Sequence, residues 1–337
     1  MSNYMAISEN AVVENTRVGC DLYLKSKVNG VYRYILFCRK DELFCGDRKK
    51  ELLVKNIKKL FISESDFGSY FKYQEKILQS ILDDKNKSSE EKSNTVYHVA
   101  KNLAQDLLED PRSGVNIGRA VNWVNKTISY ILNDEHAFSS LIKVTSHDYY
   151  TYTHSVNLSV LGLLFGKHLS LNHYDLNCLG IGMLLHDLGK VDIPLEILNK
   201  PGKLTKEEYD IVKGHPESGI KLLENKESIE EKSLKVIIQH HEDYDGNGYP
   251  SKIGGNDIHL FGRITRIIDV YDAMTTNRVY AGAKRPFTAL MEMKEKMSNC
   301  FEKELFKEFI YFLGPLDPRK NRERRIIERR NNLLDSL

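Results

Sequence analysis

The sequence has no strong excess of charge of either sign. Its 49 Lys and Arg residues nearly balance 47 Asp and Glu residues, which gives a formal net charge of +2 over 337 residues. A general attraction to nucleic acid polymers or to a membrane surface is therefore not expected, and any recognition of phosphate has to be local. The exception is the C-terminal tail, residues 314–337, where seven Arg and Lys residues crowd positions 319–330. A solvated basic helix is favoured there over a binding tail.

Cysteine is scarce, and the five residues present form no Cys-x-x-Cys pair. An odd number without that spacing argues against a disulfide framework or a zinc ribbon and favours a reducing cytoplasm. Long apolar runs are also missing. The most apolar stretch, residues 158–165, is far below the roughly 20 residues of a membrane-spanning helix, and the N-terminus lacks the pattern of a signal peptide. We therefore expect a soluble, cytoplasmic protein without a membrane span.

The length of the chain favours two domains. Residues 21–25 and 31–37 have strand-like patterns on either side of the turn signal Val28-Asn29-Gly30, which predicts a β-hairpin. In residues 51–60 the apolar positions recur at helical spacing, which predicts a helix. Residues 1–82 are therefore interpreted as a small α/β domain with a regulatory or sensory role, since they contain no catalytic cluster.

The stretch from Asp83 to Ser93 is almost entirely polar and is interpreted as a linker or a solvated helix start. Downstream, apolar residues recur every three or four positions, as in Val96, Val99 and Leu103, so residues 83–145 are predicted to be a linker and helical region. The expected fold class is α+β, with the small α/β domain followed by an all-α helical bundle.

Histidine and aspartate residues recur where apolar helices end. The apolar run 179–185 leads into His186-Asp187, and burial of this pair would be costly unless a cation compensated for the lost solvation. Aspartate can bridge two cations, and neutral imidazole is a common nitrogen donor. Gly189 is predicted to end this helix, and Lys190 places an ammonium group beside the site.

Other histidines and carboxylates extend this pattern. Pro216 favours the first helical position and puts His215 at a helix start, while a second apolar helix ends in His240-His241 before a glycine-rich turn. Asp269 and Asp272 share one helical face, so one can bind metal while the other orients a proton-transfer partner or Lys190. Each histidine alone would more often be a hydrogen-bonded core or surface residue. Their number favours a metal site.

His186-Asp187, followed by His240-His241-Glu242 and Gly248-Tyr249-Pro250, resembles the HD-GYP subgroup of the HD phosphohydrolase superfamily. The likeness covers about half the chain and places an HD-type catalytic domain at residues 146–313. It implies that the metal ligands are His154, His186, Asp187, His215, His240, His241 and Asp269. It also implies that Lys190 and Arg278 hold substrate phosphates, with Lys284 nearby. The catalytic candidates are Asp187, Lys190 and Asp272. Gly246, Gly248, Tyr249 and Pro250 are expected to shape a loop, which is also a candidate contact for signalling proteins.

The metal content is expected to be two divalent ions per chain. Some relatives have a third ion bound by a glutamate four residues before the first histidine, but Tyr150 stands at that position and a neutral phenol is a poor ligand. Imidazole and carboxylate ligands without cysteine favour iron or manganese over a structural zinc. Iron is preferred by resemblance.

The resemblance implies hydrolysis of cyclic di-GMP to linear pGpG, with GMP as a further product, by a metal-activated hydroxide. A phosphodiesterase for the hybrid cyclic GMP-AMP is the alternative, because nothing in the sequence reads the second base. A non-catalytic cyclic dinucleotide sensor is a third hypothesis, which the complete ligand set disfavours. A nucleotide phosphohydrolase of the broader superfamily is disfavoured by the His-His-Glu and Gly-Tyr-Pro elements.

Overall fold

The computed structural model describes residues 4–28, 31–145, 151–276 and 283–314. In these ranges an antiparallel sheet precedes a long series of helices, which confirms the predicted fold class. None of the helices in the described ranges is both long and apolar enough to cross a membrane.

The N-terminal unit contains β1 (Tyr4–Ser8), β2 (Thr16–Arg17), β3 (Leu22–Val28), β4 (Val31–Cys38), β5 (Leu43–Phe44), α1 (Gly46–Val54) and β6 (Lys59–Ser63). Four strands form an antiparallel sheet in the order β1-β6-β3-β4, and β2 and β5 form a separate pair. The predicted hairpin is present, because β3 pairs with β4 from Leu22 opposite Cys38 to Val28 opposite Val31.

The helix predicted over residues 51–60 is wrong in its second half. Helix α1 ends at Val54, and Asn56 has a left-handed φ of 50° that ends the helical conformation. Leu60 lies instead in β6, where Leu60 and Ile62 are fully buried and alternate with more exposed neighbours. The strand periodicity of residues 59–63 therefore prevails over the helical spacing that also fits this segment.

Thirteen further helices in the described ranges build the second unit. They are α2 (Phe67–Asp83), α3 (Ser89–Glu109), α4 (Gly114–Asn133), α5 (Ala137–Thr145), α6 (Thr151–His168), α7 (His173–Leu185), α8 (Leu195–Leu198), α9 (Lys206–Val212), α10 (His215–Leu223), α11 (Glu231–Gln239), α12 (Leu260–Thr275), α13 (Pro286–Lys296) and α14 (Lys303–Leu313). Helices α6 and α7 are buried on nearly all sides and pack against each other at the centre, as expected for helices without a polar face.

Helix α2 belongs to both hydrophobic cores. Tyr70 and Tyr73 pack under the sheet, whereas Leu78 and Leu82 pack with α3 and α4. Only residues 84–88 separate α2 from α3, and Ser88 forms a capping box with Glu91 that starts α3. The polar stretch from Asp83 to Ser93 is therefore a short connection followed by the solvated first turn of a helix.

Candidate metal centre

Five structural elements bring the predicted ligands together. His154 lies in the first turn of α6, and His186 and Asp187 directly follow α7. His215 begins α10, and His240 and His241 follow α11, while Asp269 lies on α12. Thr205 and Glu208 form a capping box that starts α9.

The ligand atoms form two groups, within each of which all atoms lie within 4.8 Å of one another. One group contains Asp187, His215, His240 and His241, and the other contains His154, His186 and Asp269. Together these are the seven residues that the sequence pattern singled out.

Asp187 lies between the two groups. Its Oδ1 is 3.4 Å from Nε2 of His215 and 3.8 Å from Nε2 of His240. Its Oδ2 is 3.4 Å from Nε2 of His186 and 4.0 Å from Nε2 of His154. One carboxylate oxygen thus faces each group, which is the geometry of a bridging ligand.

Three of the histidines are oriented in the same way. His186, His215 and His240 each donate a hydrogen bond from Nδ1 to the backbone carbonyl three residues earlier, at 2.8, 2.7 and 2.8 Å. This leaves Nε2 of each ring directed at the centre. Metal-binding histidines typically have their other ring nitrogen fixed in this manner.

The electrostatics of the centre fit bound cations. Burial opposes ionisation of Asp187, but the charges of His186 and Lys190 outweigh it and hold the pKa of its carboxyl well below the usual range. Burial lowers the pKa of His240 well below its ordinary value and that of His241 to about 3. These two rings are therefore neutral. Oδ1 of Asp187 is buried without a hydrogen-bond partner among the described residues, a costly arrangement that a cation would relieve.

His154 is held by two carboxylates on α12. Its Nε2 lies 3.1 Å from Oδ1 of Asp269, and its Nδ1 lies 2.7 Å from Oδ2 of Asp272. Burial lowers the pKa of His154, but the two carboxylates outweigh it and raise the pKa to about 9. A cation that binds between His154 and Asp269 therefore has to displace a proton.

Sequence reasoning missed the residues behind Asp272. Asn157 donates to Oδ1 of Asp272 at 3.0 Å, and Tyr97 on α3 donates from its hydroxyl to Oδ1 of Asn157 at 2.9 Å. Tyr97, Asn157, Asp272 and His154 thus form a buried hydrogen-bonded chain. The position of Asn157 three residues after His154 was an available signal. Tyr97 had none, because it is 60 residues from Asn157 in sequence.

The residues predicted to contact the substrate do not gather in one place as the predicted metal ligands do. Lys190 donates to Oδ2 of Asp187 at 2.6 Å, and its side chain is 30% exposed. Lys284 forms an ion pair with Glu292 on α13. Arg278 and Tyr150 lie outside the described residues. Asp272 also accepts a hydrogen bond from Thr276, so its hydrogen bonds place it behind His154, whereas Lys190 pairs with Asp187.

The Gly-Tyr-Pro loop packs directly on the His-His-Glu segment. Tyr249 stacks on His241, with ring centroids 4.6 Å apart, and Glu242 accepts a 2.6 Å hydrogen bond from the amide of Ser251. A Cβ on Gly248 would lie 2.2 Å from the backbone nitrogen of Asp243. Gly246 has a left-handed φ of 80°, and the bond before Pro250 is cis. These contacts join the loop to the segment that carries His241, and the loop-shaping role of the four residues stays a prediction.

The prediction that Gly189 ends α7 is wrong. The helix ends at Leu185, and Gly189 lies inside a 3₁₀ turn formed by Leu188–Asp192. A Cβ at Gly189 would lie 2.0 Å from the carbonyl oxygen of His215 and 2.4 Å from the nitrogen of Gly219. Glycine is required here for the close approach of the turn to α10.

A model of the HD domain family matches residues 128–305, more than half of the chain. The chain therefore belongs to the HD domain family, and the HD-GYP subgroup predicted from the motifs is confirmed. The solved structure of Bd1817, an HDG"Y"P protein from Bdellovibrio bacteriovorus, has the same fold. Its TM-score is 0.63 at 21% identity, over 91% of this chain and 98% of that chain.

Curated relatives share parts of the sequence. A Pseudomonas aeruginosa protein named cyclic di-GMP phosphodiesterase is 33% identical over 217 residues, which are 64% of this chain and 52% of the relative. A Vibrio cholerae protein named 3'3'-cGAMP-specific phosphodiesterase 2 is 43% identical over 115 residues, which are 34% of this chain and 22% of the relative. The chain thus spans about half the length of the first relative and less of the second.

Proposed function

We propose that this chain is a metal-dependent phosphodiesterase that hydrolyses cyclic di-GMP to linear pGpG and further to GMP. The observation that carries the proposal is the position of Asp187, whose two oxygens face separate groups of candidate metal ligands. Two-metal sites are a common solution for phosphodiester cleavage. The names of the curated relatives support a cyclic dinucleotide as the substrate.

In this proposal Asp187, His215, His240 and His241 hold one divalent ion, and His154, His186 and Asp269 hold the other, with Asp187 shared. Such ions supply Lewis acidity at the phosphodiester and a nucleophile from water at neutral pH. The absence of sulfur ligands from this set favours iron or manganese.

The remaining residues position groups and stabilise charge. Lys190 is partly exposed beside Asp187, so its ammonium can neutralise a phosphate oxygen in the transition state. We propose the same role for Arg278, whereas Lys284 would first have to leave Glu292. Asp272 acts as a positioning residue, because it fixes the ring of His154 through Nδ1.

The test is a product analysis with anaerobically purified protein loaded with Fe²⁺ or Mn²⁺. Incubation with cyclic di-GMP should yield pGpG and then GMP, resolved by chromatography. Asp187→Asn should lose both metal and turnover, because it removes a charged bridging ligand. The matched control is Asp83→Asn at the exposed C-terminal end of α2, which should retain both. Tight binding of cyclic di-GMP without turnover in every metal state would refute the proposed phosphodiesterase activity and favour a non-catalytic sensor.

Hydrolysis of cyclic GMP-AMP is the second candidate activity. It is favoured by the Vibrio cholerae relative, whose name specifies 3'3'-cGAMP and whose identity over the shared segment is 43%. Competition between the two cyclic dinucleotides in one reaction gives the ratio of kcat/KM directly. A ratio that favours cyclic GMP-AMP would assign this activity instead.

A further inference from the structure

Tyr209 is an exposed aromatic residue close to the candidate metal centre. It lies on α9 and is 47% exposed. Exposed rings are common on protein surfaces, so exposure alone does not indicate a ligand. Its place in the chain is more informative, because α9 ends at Val212 and the candidate metal ligand His215 follows three residues later.

Aromatic rings connect Tyr209 to the metal centre. The ring of Tyr249 stacks on the imidazole of His241, with ring centroids 4.6 Å apart and an angle of 27° between the planes. The ring of Tyr209 in turn meets that of Tyr249 edge to face, at 6.4 Å between centroids and 77° between planes. Tyr249 is partly buried, whereas Tyr209 is exposed. Tyr209 is therefore the exposed end of a row of three rings that begins at a candidate metal ligand.

Contacts within its own segment hold Tyr209 in place. Thr205 and Glu208 form the capping box of α9, and Lys200 donates to both carboxylate oxygens of Glu208 at 2.7 and 2.6 Å. The ammonium of Lys213, one turn after Tyr209, lies 5.2 Å from the centroid of the Tyr209 ring, which is within the range of a cation–π contact. A ring that is ordered before a ligand arrives loses little conformational entropy on binding.

We propose that Tyr209 stacks on one base of the cyclic dinucleotide while the adjoining phosphate lies at the metal centre. This inference rests on the proposed phosphodiesterase function. In a nucleotide one ribose separates the phosphate from the base, a spacing comparable to the two ring contacts between His241 and Tyr209. Stacking tolerates any base, because every base has a π-face. The contact therefore selects for the presence of a base and leaves the choice between guanine and adenine to other residues.

The test is calorimetric titration of the full chain loaded with Mn²⁺, using GMP and ribose 5-phosphate as the two ligands. Both contain the phosphate and the ribose, but only GMP has a base, so GMP should bind the wild type more tightly. Tyr209→Leu should weaken GMP binding about tenfold, within the range for loss of a base–aromatic stack, and leave the affinity for ribose 5-phosphate unchanged. Tyr209→Phe should bind both ligands like the wild type, because it retains the ring.

The matched control is Tyr174→Leu. Tyr174 is 50% exposed, and the ammonium of Lys232 lies 5.3 Å from its ring centroid, so it resembles Tyr209 in exposure and in its cation contact. It lies in the first turn of α7, at the opposite end of the helix from His186 and about 18 Å from it along the helix axis. This variant should bind both ligands like the wild type.

The affinity for ribose 5-phosphate reports whether the metal centre is intact in each variant. Unchanged GMP affinity in Tyr209→Leu, an equal loss for both ligands, or the same loss in Tyr174→Leu would overturn the proposal. An equal loss for both ligands would show that Tyr209 acts on the metal centre and not on the base.

Turnover of cyclic di-GMP by the wild type separates this proposal from the proposed function. Normal turnover without an effect of Tyr209→Leu on GMP binding would refute the stacking role alone. A selective loss of GMP affinity in Tyr209→Leu, together with a wild type that never turns over cyclic di-GMP, would support the base contact and refute the phosphodiesterase. No saturable binding of GMP to the wild type would overturn the stacking role.

Discussion

Replacing Gly189 with alanine is expected to disrupt the metal centre and destabilise the protein. The added Cβ would meet two backbone atoms of α10, the carbonyl oxygen of His215 at 2.0 Å and the nitrogen of Gly219 at 2.4 Å. Backbone atoms of a packed helix cannot rotate away as a flexible side chain can. The 3₁₀ turn and α10 therefore have to separate.

The required displacement is large for a metal site. Ordinary contacts between heavy atoms are about 3.5 Å or longer. The distance from the added Cβ to the carbonyl oxygen of His215 is therefore too short by about 1.5 Å. Metal–ligand distances tolerate deviations of about 0.2 Å. A separation of even 1 Å would move His215 away from Asp187, which precedes Gly189 by two residues. We expect a loss of at least tenfold in metal affinity and about 3 kcal/mol in the free energy of unfolding, the upper end of ordinary overpacking.

The matched control is Gly118→Ala. Gly118 is exposed in α4, and a Cβ there would meet nothing within 4 Å. The same methyl group should stabilise the protein by about 0.5–1 kcal/mol, because alanine loses less conformational entropy in a helix. Urea unfolding gives both free energies, and elemental analysis after dialysis gives the metal content per chain. Wild-type stability and metal content in Gly189→Ala would refute the reasoning.

Three other outcomes are expected. Asp272→Asn should weaken metal binding about 10- to 100-fold, because His154 loses a charged acceptor at Nδ1. Titration of the metal-free variant with Mn²⁺ measures this affinity, and an unchanged value would contradict the prediction. A protein without residues 1–66 keeps α2 and should be a folded helical unit that binds metal. A protein without residues 1–92 should not fold in this way, because it lacks the α2 side chains of the helical core. Circular dichroism and metal analysis compare the two proteins, and equal behaviour would contradict the shared core. Elemental analysis of the wild type should give two divalent ions per chain, as Tyr150 predicts, and a third fully occupied site would refute that count.

Part of the candidate metal centre could be predicted from local patterns, because His186-Asp187 and His240-His241 directly follow apolar helices. The full ligand set was implied by the resemblance to the HD-GYP subgroup. Asp272 was identified by its spacing from Asp269, and the structure now gives it a partner, His154. Among the described residues Asp272 has no hydrogen bond with Lys190, so an orienting role toward Lys190 is not supported.

Other features could not be predicted from local patterns. The need for glycine at position 189 comes from the backbone of α10, which is 26 residues away in sequence at His215. Tyr97 could not be linked to His154, because its contact crosses from one helix to another. Residues 59–60 fitted both the helical spacing of residues 51–60 and the strand periodicity of residues 59–63, and pairing of β6 with β1 decided between them. Long-range packing determined each of these outcomes.

Helix α3 contributes both to a cavity wall and to the hydrogen-bonded chain behind His154. Its residues His98 and Lys101 line a cavity that β1 and α2 also wall, and the same helix carries Tyr97, whose hydroxyl is the first member of the hydrogen-bonded chain that ends at His154. A helix moves as a nearly rigid rod, and an O–H···O bond weakens when its length of 2.9 Å grows by a few tenths of an ångström. A displacement of α3 by a few tenths of an ångström would therefore weaken the hydrogen bond to Asn157, which in turn donates to the carboxylate that aligns the imidazole of His154.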